Sequence, residues 1–395
     1  MSSSLFENRH DFEEESALYY FPALESFGND ASNNGYKKPP LVLKLTSLPF
    51  ISEHFEQMPV GARGWYASAF LSAMMMKAFS SSDDPDIGVS KGLDNDDSAP
   101  IGSTDKKEYS SRSMKAIDLL REDLKRACAS TNNDNIFLEL GSGTIGLAGV
   151  TMAWIIAQHQ HKRNRKKEKI SSRIKVVMTD YDRMCLDQLE LNAVGVRQKF
   201  REYFSGFDLL DDNVVVADNN REITDGIIPE INVEHLDWSE YDRDQSPILP
   251  DVSSTDDDDD HDNNNNTDIA CHHRHSISFS CGAALVYTEA TNVCVDQVVK
   301  ILSLYPESVV WVVQWPRGVW LEIFRQKLLS ARYKRGGLEI EIRKFGASSS
   351  PELFSEEIQQ LAQKLMPKAM QQESQMDIDY LRALRIVNTK GEGYF

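Results

Sequence analysis

The chain has 395 residues, 41% of them hydrophobic and 26% charged, enough for a sizeable core although the apolar share lies below the usual ~45–50%. Such a composition fits one large domain with polar insertions better than two full domains. The formal charge of −18 would repel a phosphate backbone, which argues against general nucleic-acid binding. Half of that charge is local, because Asp244 to Asp268 holds nine Asp and no Lys or Arg. Five cysteines, Cys128, Cys185, Cys271, Cys281 and Cys294, show no paired spacing, as expected for a reducing intracellular compartment. Met1 to Ser16 carries five acids, one Arg and no apolar run, so neither a secretory signal nor a transit peptide is expected there. The longest apolar stretch, Thr144 to Ala157, has 14 residues, short of the ~20 that span a bilayer.

In chain order, residues 1–38 read as an acidic arm too polar to fold, and 39–395 as a single domain. The run Leu41 to Leu45 is either an added strand or a substrate-facing lip. Low-complexity insertions are expected near 80–113, 161–169 and 244–280. From Asn135 onward β-branched runs alternate with segments of helical period, the signature of an α/β fold with a mostly parallel sheet. The strands are expected at Ile136 to Leu140, Ile174 to Thr179, Ile231 to Leu236, Ala283 to Thr288 and Ser308 to Gln314. Helices are expected at Ile145 to Gln158 and Arg183 to Phe200. A buried stripe of Val295, Val298, Val299 and Leu302 marks a third, and Trp320, Ile323, Phe324 and Leu328 a fourth. Leu338 to Ile342 and Leu381 to Val387 complete seven strands as an antiparallel pair, with Pro351 to Met366 between them as a helix or a covering flap.

Between the first strand and its helix lies Leu138-Glu139-Leu140-Gly141-Ser142-Gly143-Thr144. Glycine there lets a ligand approach the backbone at the carboxyl edge of the sheet, where open α/β sheets bind. Gly141, Gly143 and Gly146 also satisfy G-x-G-x-x-G, the fingerprint of a dinucleotide site. Glu139 opposes that reading, because an acid two residues before the first Gly would repel a pyrophosphate and favour a positively charged ligand. The next acid, Asp180, lies 34 residues after Gly146, whereas the fingerprint expects one ~20 residues on. A plain strand-to-helix turn is the structural alternative.

Three further segments give the sequence a resemblance to the seven-strand S-adenosylmethionine-dependent methyltransferases, and within them to the protein-lysine methyltransferases of the methyltransferase-16 family. Gly61-Ala62-Arg63-Gly64-Trp65-Tyr66-Ala67-Ser68-Ala69-Phe70-Leu71 is similar to the family's G-x-x-x-W-x-x-S-x-x-L. Thr179-Asp180, followed by Leu186, Leu189 and Asn192, resembles T-D-x-x-x-x-x-L-x-x-L-x-x-N, and Leu236-Asp237-Trp238 resembles L-D-W. The resemblance implies a Rossmann-like seven-stranded sheet with an antiparallel last strand and S-adenosyl-L-methionine as cofactor. It places Trp65, Gly141, Ser142, Gly143, Asp180, Asp237, Trp238 and Thr288 around that cofactor, with Glu139 near its methionine end. Asp180 would accept the ribose hydroxyls and Trp238 would flank the adenine.

The sequence departs from the family after the fourth strand, where D-x-x-Y is replaced by Glu289-Ala290-Thr291-Asn292. A carboxylate is kept and the phenol is lost, so Glu289 and Asn292 are the acceptor-side candidates. Ile145 also adds one residue to the family's G-x-G-T-G-L. The implied reaction is methyl transfer to a lysine amine of a protein substrate, and that amine must first lose its proton, because its ordinary pKa is about 10.4. Alternatives are a non-catalytic cofactor-binding adaptor and, on the glycine fingerprint alone, a nicotinamide-dependent oxidoreductase. No metal is expected, since four ligands crowded into Cys271 to His275 cannot easily close one tetrahedron. The expected location is cytoplasmic, with His161 to Lys169 a candidate nuclear signal, and no membrane partner is expected. The substrate protein and the oligomeric state are left open.

Overall fold

The computed structural model describes residues 15–21, 39–47, 66–80, 114–130, 134–165, 173–205, 227–236, 275–286, 291–315, 319–334, 338–366 and 378–390. Its strands are β1 (Glu15–Phe21), β2 (Leu41–Ser47), β3 (Asp134–Leu140), β4 (Arg173–Asp180), β5 (Glu230–His235), β6 (His275–Ala283), β7 (Val309–Gln314), β8 (Ile340–Gly346) and β9 (Arg382–Asn388). The helices are α1 (Tyr66–Ser80), α2 (Ala116–Ala129), α3 (Leu147–Arg165), α4 (Arg183–Ser205), α5 (Thr291–Leu304), α6 (Trp320–Lys334) and α7 (Glu356–Lys364).

Seven strands form one sheet in the order β5-β4-β3-β6-β7-β9-β8. The first five run parallel, and β9 is antiparallel to both β7 and β8. This is the Rossmann-like sheet with antiparallel last strands that the resemblance implied. Side chains alternate between two cores, as a pleated strand covered on both faces requires. Phe137, Val176, Met178, Val309, Trp311 and Val313 face α1, α2, α3, α4 and α7. Ile136, Leu138, Val177, Val310 and Val312 face α5 and α6. From β3 the chain proceeds to β4 on one side, and β6 lies on the other. The crevice beyond the carboxyl ends of β3 and β6 is therefore the switch point where such sheets bind ligands.

Several local expectations are corrected. The arm to residue 38 contains β1, which pairs antiparallel with β2 from Glu15↔Ser47 to Phe21↔Leu41. The polar average of the arm hid the alternation of Tyr19 and Phe21, both buried. Leu41 to Leu45 is accordingly a strand. The basic run begins inside α3, which continues to Arg165, and His161 is buried against Phe204. The fourth strand of the parallel series, β6, lies at His275–Ala283 and not at Ala283 to Thr288. Its serines disguised it as linker, but Ile277, Phe279 and Cys281 are buried between them and the Ser278 hydroxyl donates to Asn135 Oδ1. Ala284, with φ 55°, turns the chain out of the strand. Pro351 to Met366 contains the helix α7.

The expected insertions at 81–113, 166–169 and 244–274 lie outside the described residues, as does Cys271 to Arg274. Among the described residues no helix is long and apolar enough to cross a membrane. No group of three His, Cys, Asp or Glu side chains converges there as a metal site.

One polar cluster crosses the first core. Asp123 of α2 and Arg385 of β9 are both buried, and the carboxylate accepts from Arg385 Nε at 2.7 Å and Nη2 at 2.9 Å. Trp311 Nε1 of β7 and Arg126 Nη2 donate to the same carboxylate, each at 2.9 Å.

Candidate functional site

The turn after β3 is held open by three left-handed glycines, Gly141 (φ 64°), Gly143 (φ 61°) and Gly146 (φ 61°). An L side chain at any of them would be strained, so the glycine spacing read from the sequence is required by the backbone itself. The loop is fastened to the end of β4. Ser142 N–H donates to Thr179 O at 2.7 Å, and Thr179 N–H donates to Ser142 Oγ at 3.1 Å. Thr179 Oγ1 donates back to Glu139 O at 2.8 Å.

Asp180, 3% exposed, closes the arrangement. Its Oδ2 accepts from Gly143 N–H at 2.8 Å and its Oδ1 from Asp182 N–H at 3.0 Å. The Tyr181 amide donates to the same carboxylate, so three backbone amides are held and acceptor capacity for a ligand hydroxyl is left over. Burial pushes this carboxyl above the usual aspartate range, against the lowering effect of those amides. Asp180 therefore shapes the glycine loop, a task that the motif comparison did not reveal.

Glu139, 2% exposed, also has an unforeseen task. Its Oε2 accepts from Gly149 N–H at 2.9 Å, in the first turn of α3, where helix amides lack partners within the helix. Gly149 leaves no space for a side chain: a Cβ there would lie 2.4 Å from Met178 Cγ and 2.8 Å from Glu139 Oε2. Burial raises the Glu139 carboxyl from 4.5 to about 7, against lowering by the Gly149 amide, the Ser142 hydroxyl and the Ala148 amide.

That shift has a sign. The unfolded chain releases this proton near 4.5 and the folded chain near 7, so between the two the folded state binds more protons and stability falls as pH rises. The Glu139→Gln variant lacks this term. Its stability relative to the parent is expected to rise by on the order of 1–3 kcal/mol from pH 4.5 to pH 8, read from denaturant midpoints. A pH-independent difference would refute the assignment.

On the other side of the switch point, Ala284 N–H donates to Val313 O at 2.9 Å. Beyond it the Gln314 side chain takes over the pairing: Val286 N–H donates to Gln314 Oε1 at 2.9 Å, and Gln314 Nε2 donates to Val286 O at 3.0 Å. The backbone of Val286 is thereby held by a buried amide that the sequence did not single out. Tyr66, at the start of α1, packs against Trp315 just past the end of β7, with ring centroids 5.9 Å apart.

Of the residues expected at the site, the structure brings Glu139, Gly141, Ser142, Gly143 and Asp180 together at one sheet edge. Asn292 falls in the first turn of α5. Trp65, Asp237, Trp238, Thr288 and Glu289 lie outside the described residues.

No protein-family model matches the chain, and no curated protein matches it. Solved structures to which it is similar include a TehB-like SAM-dependent methyltransferase from Corynebacterium glutamicum, at 12% identity over 67% of this chain and 85% of that one, with a TM-score of 0.28. The rRNA methyltransferase aviRa from Streptomyces viridochromogenes is 11% identical over 68% of this chain and 83% of its own, with a TM-score of 0.28. A SAM-dependent methyltransferase from Thiobacillus denitrificans, in complex with S-adenosyl-L-homocysteine, is 9% identical over 68% and 91%, with a TM-score of 0.26. Likenesses this distant say nothing of substrate.

Proposed function

We propose that the chain is an S-adenosylmethionine-dependent methyltransferase acting on a lysine side chain of a basic protein. The observation that carries the cofactor reading is the state of the loop amides. Ser142, Gly143, Gly146 and Gly149 all donate within the protein, two of them to the carboxylates of Asp180 and Glu139. A dinucleotide site needs free amides aimed at a pyrophosphate. Here these four amides are engaged and two acids lie behind them, an arrangement that suits a ligand without phosphate and with positive charge.

S-adenosylmethionine would supply an electrophilic methyl group carried on a positively charged sulfur. The described residues fit it: the glycines allow close backbone approach, and Asp180 retains acceptor capacity for a ribose hydroxyl. Glu139, through the Gly149 amide and the Ser142 hydroxyl, holds the loop that the cofactor would rest on. The finer reading, a lysine acceptor, is supported by the family resemblance, by the net charge of −18, which suits a basic target, and by the carboxylate retained at Glu289.

Calorimetric titration with S-adenosylhomocysteine, with a nicotinamide dinucleotide as control, tests the cofactor. Saturable binding of the first alone is expected, and binding of the dinucleotide alone would overturn the reading in favour of an oxidoreductase. Labelled methyl transfer to lysine in a lysate tests the acceptor; cofactor binding without any transfer would instead identify an adaptor. The Glu289→Gln variant is expected to lose at least tenfold in turnover while its affinity for S-adenosylhomocysteine stays within a few fold. Unchanged turnover would remove Glu289 from the acceptor side.

A further inference from the structure

Thr46 of β2 stands opposite Ser16 of β1, yet its backbone amide and carbonyl both turn to the Asn192 side chain of α4. Thr46 N–H donates to Asn192 Oδ1 at 3.0 Å, and Asn192 Nδ2 donates to Thr46 O at 2.9 Å. The amide thus copies a peptide group and pairs the outer edge of the hairpin as a further strand residue would. The same Nδ2 donates to Thr144 O at 2.8 Å, in the middle of the glycine loop. Both Nδ2 protons and one oxygen lone pair of a buried amide are consumed, and each partner is a backbone group. Since Thr46 N–H must meet an oxygen, the orientation of the amide is fixed, and so is its donor toward Thr144.

We infer that Asn192 is a positioning residue that couples the β1–β2 hairpin to the glycine loop, so that hairpin order and cofactor affinity depend on each other. The inference rests on the proposed reading of the loop as the cofactor site. A shift of the loop that lengthens the contact at Thr144 O must pull on the contacts at Thr46. By linkage, whatever orders β2 strengthens cofactor binding by the same factor as the cofactor orders β2. The hairpin does not depend on this amide for its attachment. Phe21 packs against Trp154 at 6.0 Å between ring centroids, the Tyr203 hydroxyl donates to Pro39 O at 3.2 Å, and Leu41, Leu43 and Leu45 are buried.

The test combines calorimetry with hydrogen–deuterium exchange of the full chain, free and saturated with S-adenosylhomocysteine, for the parent, Asn192→Ala and Asn192→Asp. In the parent, the ligand is expected to slow exchange across residues 41–47. In Asn192→Ala, affinity is expected to fall about tenfold, and exchange across 41–47 should no longer respond to the ligand. Asn192→Asp should behave alike, since a carboxylate accepts from Thr46 N–H but donates to neither carbonyl.

A folded Asn192→Ala protein with parental affinity, or with ligand protection of 41–47 intact, would overturn the inference. Should neither variant fold, the parent decides: binding without any response across 41–47 overturns it. A folded parent that does not bind S-adenosylhomocysteine removes the cofactor reading and this coupling together. Equal binding by parent and variants removes the coupling alone.

Discussion

Replacing Asp180 with alanine is expected to weaken S-adenosylhomocysteine binding by on the order of 100-fold, corresponding to ~2.7 kcal/mol. Two losses add. The ribose hydroxyls would lose a charged acceptor, a contact worth roughly 1.5–3 kcal/mol. The Gly143 amide, held at 2.8 Å by Asp180 Oδ2, would also be released, so that the left-handed turn at Gly143 loses its tie to β4. Asp180→Asn separates the two, because its amide oxygen can still accept from one backbone N–H while the charge is gone. An intermediate dissociation constant is expected for it. If Asp180→Ala bound the ligand as tightly as the parent, the placement of the cofactor over the glycine loop would be wrong.

The largest effect on stability is expected at Asp123. Its carboxylate receives two hydrogen bonds from Arg385, one from Trp311 and one from Arg126, and both Asp123 and Arg385 are almost wholly buried. Asp123→Ala would leave the guanidinium without its carboxylate and the indole N–H without its acceptor. Removing one partner of a buried pair costs roughly 3–5 kcal/mol, most of it the penalty on the charge left behind. Denaturant unfolding measures this as a fall in midpoint at unchanged slope. The double variant Asp123→Leu with Arg385→Met is expected to recover the part of the loss due to the buried guanidinium charge, while the part due to the Trp311 indole N–H, which still lacks its acceptor, remains. A single variant as stable as the parent would mean that water reaches the cluster.

Legibility in the sequence followed the range of the interactions. β3, β4 and β7 were readable because their apolar runs are short, β-branched and bounded, and β7 is buried along its whole length. The glycine loop was readable because a left-handed backbone leaves a residue type behind as its trace. β6 was misplaced because serines inside a strand look like linker; only the fold shows the Ser278 hydroxyl donating to Asn135 and the apolar residues between the serines buried. α2 went unassigned although Ala116, Leu120, Leu124 and Ala127, all buried, recur at helical spacing after a long polar tract.

The site divides in the same way. Asp180 and the glycines stood out by motif, whereas the engagement of the Gly143 and Gly149 amides by carboxylates depends on three-dimensional closure. Nothing periodic links Asn192 to Thr46, 146 residues apart, or Asp123 to Arg385, 262 apart. Asn192 is marked by its motif but its partner is not, and Asp123 and Arg385 leave only an unremarkable polar residue within a helix or a strand.

The position of β9 bears on the order in which the protein can assemble. Among the described residues it is the last strand in sequence, but it lies between β7 and β8. While a ribosome is still reading the segment after α7, β7 presents a bare edge and β8 has no neighbour in the sheet. Arg385 has not yet been made, so the carboxylate of Asp123 waits in α2 without its main counter-charge. Closure of the sheet is therefore a late event that joins distant parts of the chain, and it is expected to set the rate of folding. Until it occurs, the exposed β7 edge, Val309-Val310-Trp311-Val312-Val313, is the segment that most needs protection from pairing with another nascent chain.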